Sequence, residues 1–328
     1  MHILVLGAAG MVGRKLTERL LRDGRLGKHD ITRMTMQDVV APATPAKAGF
    51  PVDTVTCDFA IPGVAEKLVA DRPDVIFHLA AIVSGEAELD FEKGYRINLD
   101  GTRMLFDAIR LAGGGYKPRV VFTSSIAVFG APFPEAIGDE FFNTPLLSYG
   151  TQKAIGELLL SDYSRRGFMD GVGIRLPTIC IRPGLPNKAA SGFFSGILRE
   201  PLAGKEAILP VSEDVRHWHA SPRSAVGFLA HAATIDTAVV GARRNLTMPG
   251  LSATVGEQIA ALKRVAGEKV AARIRREPDA FITGIVAGWP RNFDPRRALQ
   301  LGFTTAEKTF DDIIRIHIED ELGGKFVA

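Results

Sequence analysis

Tyr149 and Lys153 stand four residues apart at the start of a long amphipathic run, so a helix there places both on one face. A phenol with a pKa of about 10 is a poor base near neutrality, and a neighbouring ammonium favours its phenolate by roughly 1–3 units. The pair can therefore act as a general base that takes a proton from an alcohol. An isolated pair of this kind is more often an ordinary helix with a half-buried tyrosine and a solvated lysine, so the reading depends on the rest of the chain. Thr123, Ser124 and Ser125 follow a strand-like run at 119–122. Hydroxyls just beyond a strand's carboxyl end lie where open α/β sheets bind ligands, although any one of them can also form a turn.

The elements that must position these groups alternate through the first half. Apolar residues 3–6 read as a strand, Gly7, Gly10 and Gly13 follow, and Leu16, Leu20 and Leu21 recur at helical spacing. In that context the first glycine allows a tight turn, the second lets a pyrophosphate approach the backbone, and the third lets helix and strand pack closely. The free amides of the helix then face the phosphates. A strand at 32–37 ends on Asp38, whose carboxylate suits both adenosine-ribose hydroxyls and repels the extra phosphate of NADP, which favours NAD. Further strands are expected at 52–56, 74–78, 119–122 and 172–176. Asp58 suits an adenine amino group or a helix cap, and His78 reads as a hydrogen-bonded structural histidine. Small side chains at Leu79, Ala80 and Ala81 would let backbone approach a cofactor.

Beyond Pro177 the alternation fades into glycine- and proline-rich segments. Short helices are expected at 193–199 and 223–233, a strand at 243–247, a helix at 255–266 and a terminal helix at 305–322. The expected fold class is α/β, a Rossmann-type doubly wound parallel sheet over residues 1–176 with parts of 205–235. Residues 177–328 mainly form a smaller C-terminal α+β substrate lobe. His217 and His219 flank Trp218 without carboxylate or cysteine partners, a poor metal site, so they are assigned to packing or substrate hydrogen bonding and no metal is expected.

The chain of 328 residues is 46% hydrophobic and 23% charged, which fits a globular protein of one large domain with a lobe, or two domains. Forty basic against 37 acidic residues leave a net charge of +3, without a long basic run, so neither nucleic acid nor a membrane is an expected partner. No stretch reaches the roughly 18 apolar residues of a membrane span. Cys57 and Cys180 lack metal-ligand spacing and argue for a reducing, cytoplasmic setting.

The glycine turn, Asp38, residues 79–81, the Ser125 loop and Tyr149 with Lys153 occur in the order seen in the extended short-chain dehydrogenases. The chain thus resembles the NAD-dependent epimerase/dehydratase group over residues 1 to about 235. The resemblance implies catalysis by Ser125, Tyr149 and Lys153, with Ser125 chosen over Ser124 because it lies five residues before Gly130. Asn98 matches the helix asparagine that steadies the active site. The implied NAD contacts are Gly7, Gly10, Met11, Val12, Gly13, Asp38, Asp58, Leu79, Ala80, Ala81, Asn98, Tyr149, Lys153, Leu176 and Thr178. A homodimer is implied through the long helices beginning near Glu86 and Leu146.

Departures from the nucleotide-sugar enzymes are equally informative. Leu176, Pro177 and Thr178 stand where those enzymes carry an asparagine, and Pro222 and Arg223 replace an expected acid after Arg216. Ser125 is followed by Ile126 and Ala127, which argues against a dehydratase. The stretch 182–191, with Arg199, Glu200, Pro201 and Leu202, resembles the D-erythronate-oxidising branch of the family, which implies a small sugar-acid substrate oxidised at carbon 2 with NADH formed. A small anion needs a cationic fork, which makes Arg182, Arg216 and Arg223 candidates, with Ser84 and Ser191 as hydroxyl or carboxylate donors and Ser125 and Tyr149 at the reacting carbon. The rival readings are a nucleotide-sugar epimerase, a threonine-like hydroxy-acid dehydrogenase, and a non-catalytic dinucleotide-binding redox sensor.

Overall fold

A computed structural model describes residues 1–184 and 191–328. Its central sheet contains seven parallel strands: β1 (His2–Leu6), β2 (Arg33–Asp38), β3 (Val52–Thr56), β4 (Val75–His78), β5 (Arg119–Ser125), β6 (Asp170–Leu176) and, later in the chain, β9 (Asn245–Thr247). Their order is β9-β6-β5-β4-β1-β2-β3. The chain leaves β1 toward β2 on one side and returns to β4 on the other. A crevice opens at this reversal, beyond the carboxyl ends of β1 and β4, where doubly wound sheets bind ligands.

The central strands are buried on both faces, as parallel strands covered by helices must be. Ile3, Val5, Phe77 and Val121 face one core, and Leu4, Leu6, Ile76 and Phe122 the other. Helix α1 (Met11–Asp23) buries Leu16 and Leu20 against the first core and ends on Gly24 in the left-handed conformation. Helix α3 (Ser148–Arg165) carries Tyr149 and Lys153 and lies against β5 and β6.

The segment expected to be one long helix around Asn98 is broken. Short helices at Ser84–Leu89 and Phe91–Gly94 lead into a π-helical stretch, Tyr95–Asp100, before α2 (Gly101–Leu111) resumes. Single π turns place an extra residue in the helix and recur at functional sites.

The later chain contributes to both layers. Helix α4 (Gly192–Leu202) packs in a second core with Ile181, Leu209, Ile259, Leu262 and Ile314. Helix α5 (Pro222–Thr234) lies instead on the central sheet, with Phe228 and Leu229 in its first core. A small sheet joins β7 (Thr178–Ile179), β8 (Arg216–Ala220) and β10 (Leu251–Thr254). The strand expected at 243–247 is β9, the edge of the central sheet. The terminal helix, Phe310–Leu322, starts later than expected because Thr309 and Asp312 form a capping box. Glu307 turns inward to accept from the Ser221 amide and the Ser221 and Ser224 hydroxyls.

Candidate active site

The three glycines after β1 divide the work of the turn. Gly7 has a φ of +89°, and a Cβ there would lie 2.7 Å from the Ala80 nitrogen. A Cβ on Gly13 would lie 2.1 Å from the Gly7 carbonyl oxygen, so this position is set by helix–strand packing. Gly10 is different: its Cβ would meet nothing closer than Gly7 O at 3.4 Å, and it borders a cleft. That open backbone at the start of α1 is a cradle for a phosphate, and the residues present fit a dinucleotide. Asp38 sits at the edge of the turn, where Oδ2 accepts from the Ala9 amide at 2.9 Å and Oδ1 from Val40 at 3.2 Å.

The cleft, about 430 Å³, runs from this cradle to the carboxyl ends of β5 and β6, a size common among small-molecule sites, roughly 300–1,000 Å³. Gly7, Met11, Val12, Leu79, Ala81, Ser84, Ser125, Tyr149, Lys153, Leu176, Thr178, Arg182 and Ser191 border it, so most of the residues singled out from the sequence converge there. Ala80 contributes its backbone against Gly7 and does not border the cleft. Asp58 accepts from the Ala60 amide at 2.9 Å and pairs with Arg96 at 2.8 Å, the arrangement of a turn residue.

At the far end, Lys153 is buried and Nζ donates to the carbonyl of Thr123 at 2.8 Å. Desolvation depresses its pKa to about 7, opposed by the charge of Glu157. Burial pushes Tyr149 up to about 12, while a hydrogen bond with Ser125 and the charge of Arg182 pull it down. Lys153 Nζ lies 5.7 Å from the centroid of the phenol ring, and Arg182 adds a second cation that acts on the phenol. Ser125 Oγ also accepts from the Ala127 amide at 3.1 Å. Ser124 is buried, with its hydroxyl given to Glu157 at 2.5 Å. Both serines border the cleft, and only the Ser124 hydroxyl is taken up by a carboxylate.

Arg182 is partly buried at the cleft wall. Nη2 donates to Ser191 Oγ at 2.9 Å, Nε donates to the Ile179 carbonyl at 3.1 Å, and desolvation lowers its pKa. Among the described residues no carboxylate pairs with it. Residues 185–190 of the stretch that suggested a sugar-acid branch lie outside the described residues.

Three expectations are corrected. Arg216 does not border the cleft; it donates to the Ser252 carbonyl at 3.1 Å and pairs with Glu257 at 3.3 Å, facing a separate surface basin. Arg223 lies on α5 and pairs with Asp320 at 2.6 Å and Glu319 at 3.1 Å, because its helix packs on the sheet with this face outward. Asn98 is buried behind the cleft, not in it: its Oδ1 accepts from the Ile82 amide at 2.9 Å, and its Nδ2 donates to the Ile82 carbonyl and to Gln152 Oε1. It holds the loop after β4 in place through the backbone.

His217, expected to serve packing or substrate hydrogen bonding, also borders the cleft, together with two residues not picked out from the sequence, Trp289 and Pro290. His217 donates from Nδ1 to the Pro290 carbonyl at 2.8 Å, and burial depresses its pKa to about 4. A neutral ring with its proton on Nδ1 must accept at Nε2, which it does from Thr178 Oγ1 at 2.7 Å. Thr178 therefore turns acceptor lone pairs toward the cleft. Trp289 and Pro290 close the same wall. Their only sequence signal is a tryptophan between glycine and proline in a segment without periodicity. Among the described residues no group of three His, Cys, Asp or Glu could hold a metal, and no helix is long and apolar enough to cross a membrane.

Residues 3–225 match a family described as the NAD dependent epimerase/dehydratase family. A D-erythronate dehydrogenase from Cupriavidus necator is 46% identical over 324 residues, covering 98% of both chains. One from Haemophilus influenzae is 39% identical, over 98% of this chain and all of that one. A crystal structure described as a nucleoside-diphosphate-sugar epimerase from Agrobacterium tumefaciens is 70% identical, with a TM-score of 0.97, covering 99% of this chain and 95% of that one.

Proposed function

The chain belongs to the NAD dependent epimerase/dehydratase family, and from that premise we propose that it oxidises a small sugar acid, D-erythronate, at carbon 2 to the 2-oxo acid. It is an NAD-dependent oxidoreductase. The observation that carries the substrate reading is Arg182, a partly buried guanidinium in the cleft wall, beside Tyr149, with no carboxylate of its own among the described residues. A cation in such a setting is costly unless an anion joins it, and guanidinium matches a carboxylate through two parallel hydrogen bonds. Two relatives of full length carry the D-erythronate dehydrogenase name.

Gly7, Gly10 and Gly13 with the start of α1 would hold the pyrophosphate, Asp38 the adenosine ribose, and Leu79, Ala81, Leu176 and Thr178 the nicotinamide end. NAD, when bound, supplies an acceptor for the hydride that leaves carbon 2. The chain's own residues manage the proton and the position. Tyr149 takes the hydroxyl proton, helped by the Ser125 hydrogen bond and by Arg182, both of which favour its phenolate. Ser125 holds the reacting hydroxyl, and Arg182 with Ser191 holds the carboxylate. Thr178 accepts from a second hydroxyl, and Ser84 faces the same space. Lys153, fixed on the Thr123 carbonyl, keeps a proton donor beneath Tyr149.

A second reading, epimerisation of a nucleotide sugar, is favoured by the description of the Agrobacterium structure. Against it, Arg216 is paired with Glu257 outside the cleft, and Thr178 stands where an asparagine is expected. The deciding experiment is NADH formation by the purified protein with NAD or NADP and D-erythronate, L-threonate, L-threonine or UDP-glucose. Turnover of the four-carbon acid with NAD is expected; turnover of UDP-glucose in its place would overturn the substrate reading.

In this reading residues 1–176 with parts of 205–235 serve the cofactor, and most of 177–328 serves the substrate. The separate core around α4 supports that division. We also infer a homodimer. Leu89 and Phe91 are exposed on the short helices Ser84–Leu89 and Phe91–Gly94, and Leu146 and Leu158 just before and on α3, and sedimentation would give the mass. A cytoplasmic location is supported by two free cysteines.

A further inference from the structure

Glu157 occupies the next turn of α3 beyond Lys153, so Tyr149, Lys153 and Glu157 rise along one helix face at intervals of four. It is 2% exposed, and four hydrogen bonds converge on its carboxylate. Ser124 Oγ donates at 2.5 Å, Arg175 Nε at 2.8 Å and Nη2 at 2.7 Å, and Asn143 Nδ2 at 3.1 Å. Those partners come from β5, from β6 and from the loop before α3. The carboxylate therefore joins the helix that carries the base to the strand residue preceding Ser125.

We propose that Glu157 is a positioning residue for the reaction: through Ser124 it sets Ser125 against Tyr149, and through its charge one turn below Lys153 it keeps that lysine protonated. The proposal rests on the assignment of Ser125, Tyr149 and Lys153 as the catalytic groups. A purely packing role does not call for a carboxylate here, since a buried ion pair is often replaceable by apolar groups without loss of stability. The charge has a local use. Lys153 is buried against the Phe122 ring, with Nζ 4.9 Å from its centroid, and Glu157 opposes the desolvation that strips its proton.

The other groups facing the pair define the sign. His78 looks at Lys153 from β4 and is neutral, since burial holds it to about 3. Tyr149 lies on the same helix. Arg175 faces Glu157 from β6, with Asp139 beyond it. Replacing Glu157 by glutamine removes negative charge, so Lys153 loses its proton at lower pH. The alkaline limb of the rate profile, where that proton is lost, then moves in the acid direction, by about half a unit to one unit.

The test uses the full chain as E157Q, with rates taken from pH 5.5 to 10 on whichever substrate reduces NAD, and the Lys153 ammonium followed separately by nitrogen NMR without substrate. A fall in kcat of about ten- to a hundredfold with little change in the KM for NAD is expected, with the alkaline limb displaced to lower pH and an earlier Lys153 titration. E157D should return the profile toward its original position while recovering only part of the rate. A lowered rate with an unmoved profile and an unmoved lysine titration would make Glu157 structural only and overturn the proposal. Should E157Q not fold, S124A removes the tether and keeps the charge. A several-fold loss of kcat with an unmoved profile is then expected, and wild-type kcat would overturn the positioning. If neither form of the protein reduces NAD with any acid, the substrate reading falls, while the lysine titration still decides the role of Glu157.

Discussion

Lys153 Nζ lies 2.8 Å from the carbonyl oxygen of Thr123, two residues before Ser125 on the same strand. This bond locks α3 to β5 at the level of the cleft, so the distance between the phenol and the serine hydroxyl is fixed by two elements that cannot slide independently. Arg182 reaches the same point from the later chain, and its charge also pulls the phenol down. The site is built where three segments meet.

Tyr149→Phe removes the phenol and leaves the ring. Turnover should fall by about 10²- to 10⁴-fold, the range for losing a general base, while NAD affinity measured by calorimetry changes little. Turnover within a few-fold of wild type would reject Tyr149 as the base.

Arg182→Met should raise the KM for the acid and cut kcat/KM by about ten- to a hundredfold, in line with a lost charge-assisted pair of about 1.5–3 kcal/mol. Arg223→Met is the control, because Arg223 is spent on Asp320 and Glu319. Equal losses in the two variants would remove the carboxylate role from Arg182.

The contrast between these arginines marks where the sequence stops being legible. The cofactor half could be read because its signals are local: a glycine turn directly after β1, an acid at the end of β2, a tyrosine and lysine one helical turn apart. Their convergence follows from the strand order of a doubly wound sheet. The substrate end depends on which way α5 and β8 face, which is decided by long-range packing, of α5 on the central sheet and of β8 between β7 and β10. Arg216 and Arg223 were therefore indistinguishable from Arg182 in the sequence. Asn98 was expected at the cofactor, but the π-helical stretch that turns it toward Ile82 and away from the cleft leaves no periodic trace. Thr178, His217 and Pro290 form one hydrogen-bonded wall from three distant segments, and nothing in their spacing announces it.

The glycines of the first turn should separate cofactor binding from folding. Gly10→Ala adds a methyl to open cleft, so the fold is expected to survive with NAD binding weakened. Gly13→Ala places a Cβ 2.1 Å from the Gly7 carbonyl oxygen, so thermal stability should fall as well. Denaturation midpoints and NAD titrations of both variants give the comparison. Equal stability losses would contradict the assignment of Gly10 to the phosphate.

Acid should weaken this fold through histidines, and His317 offers the cleanest handle. Burial depresses His317 and His217 to about 4 and His78 to about 3, with His219 also held well below its ordinary 6.5. Each is neutral in the folded chain and takes up a proton on unfolding below 6.5. Their stabilisation is complete above pH 6.5 and is lost as pH falls through the folded values. His317 is 3% exposed, and among the described residues neither ring nitrogen has a hydrogen-bond partner. Replacing it with leucine removes one titration and two unsatisfied polar atoms at similar volume. His317→Leu should be as stable as wild type at pH 7 or more so, by about 1–3 kcal/mol, and should lose less between pH 6.5 and 4.5. Urea midpoints at the two pH values decide it: an acid loss as steep as that of wild type would mean that His317 does not contribute to the acid sensitivity.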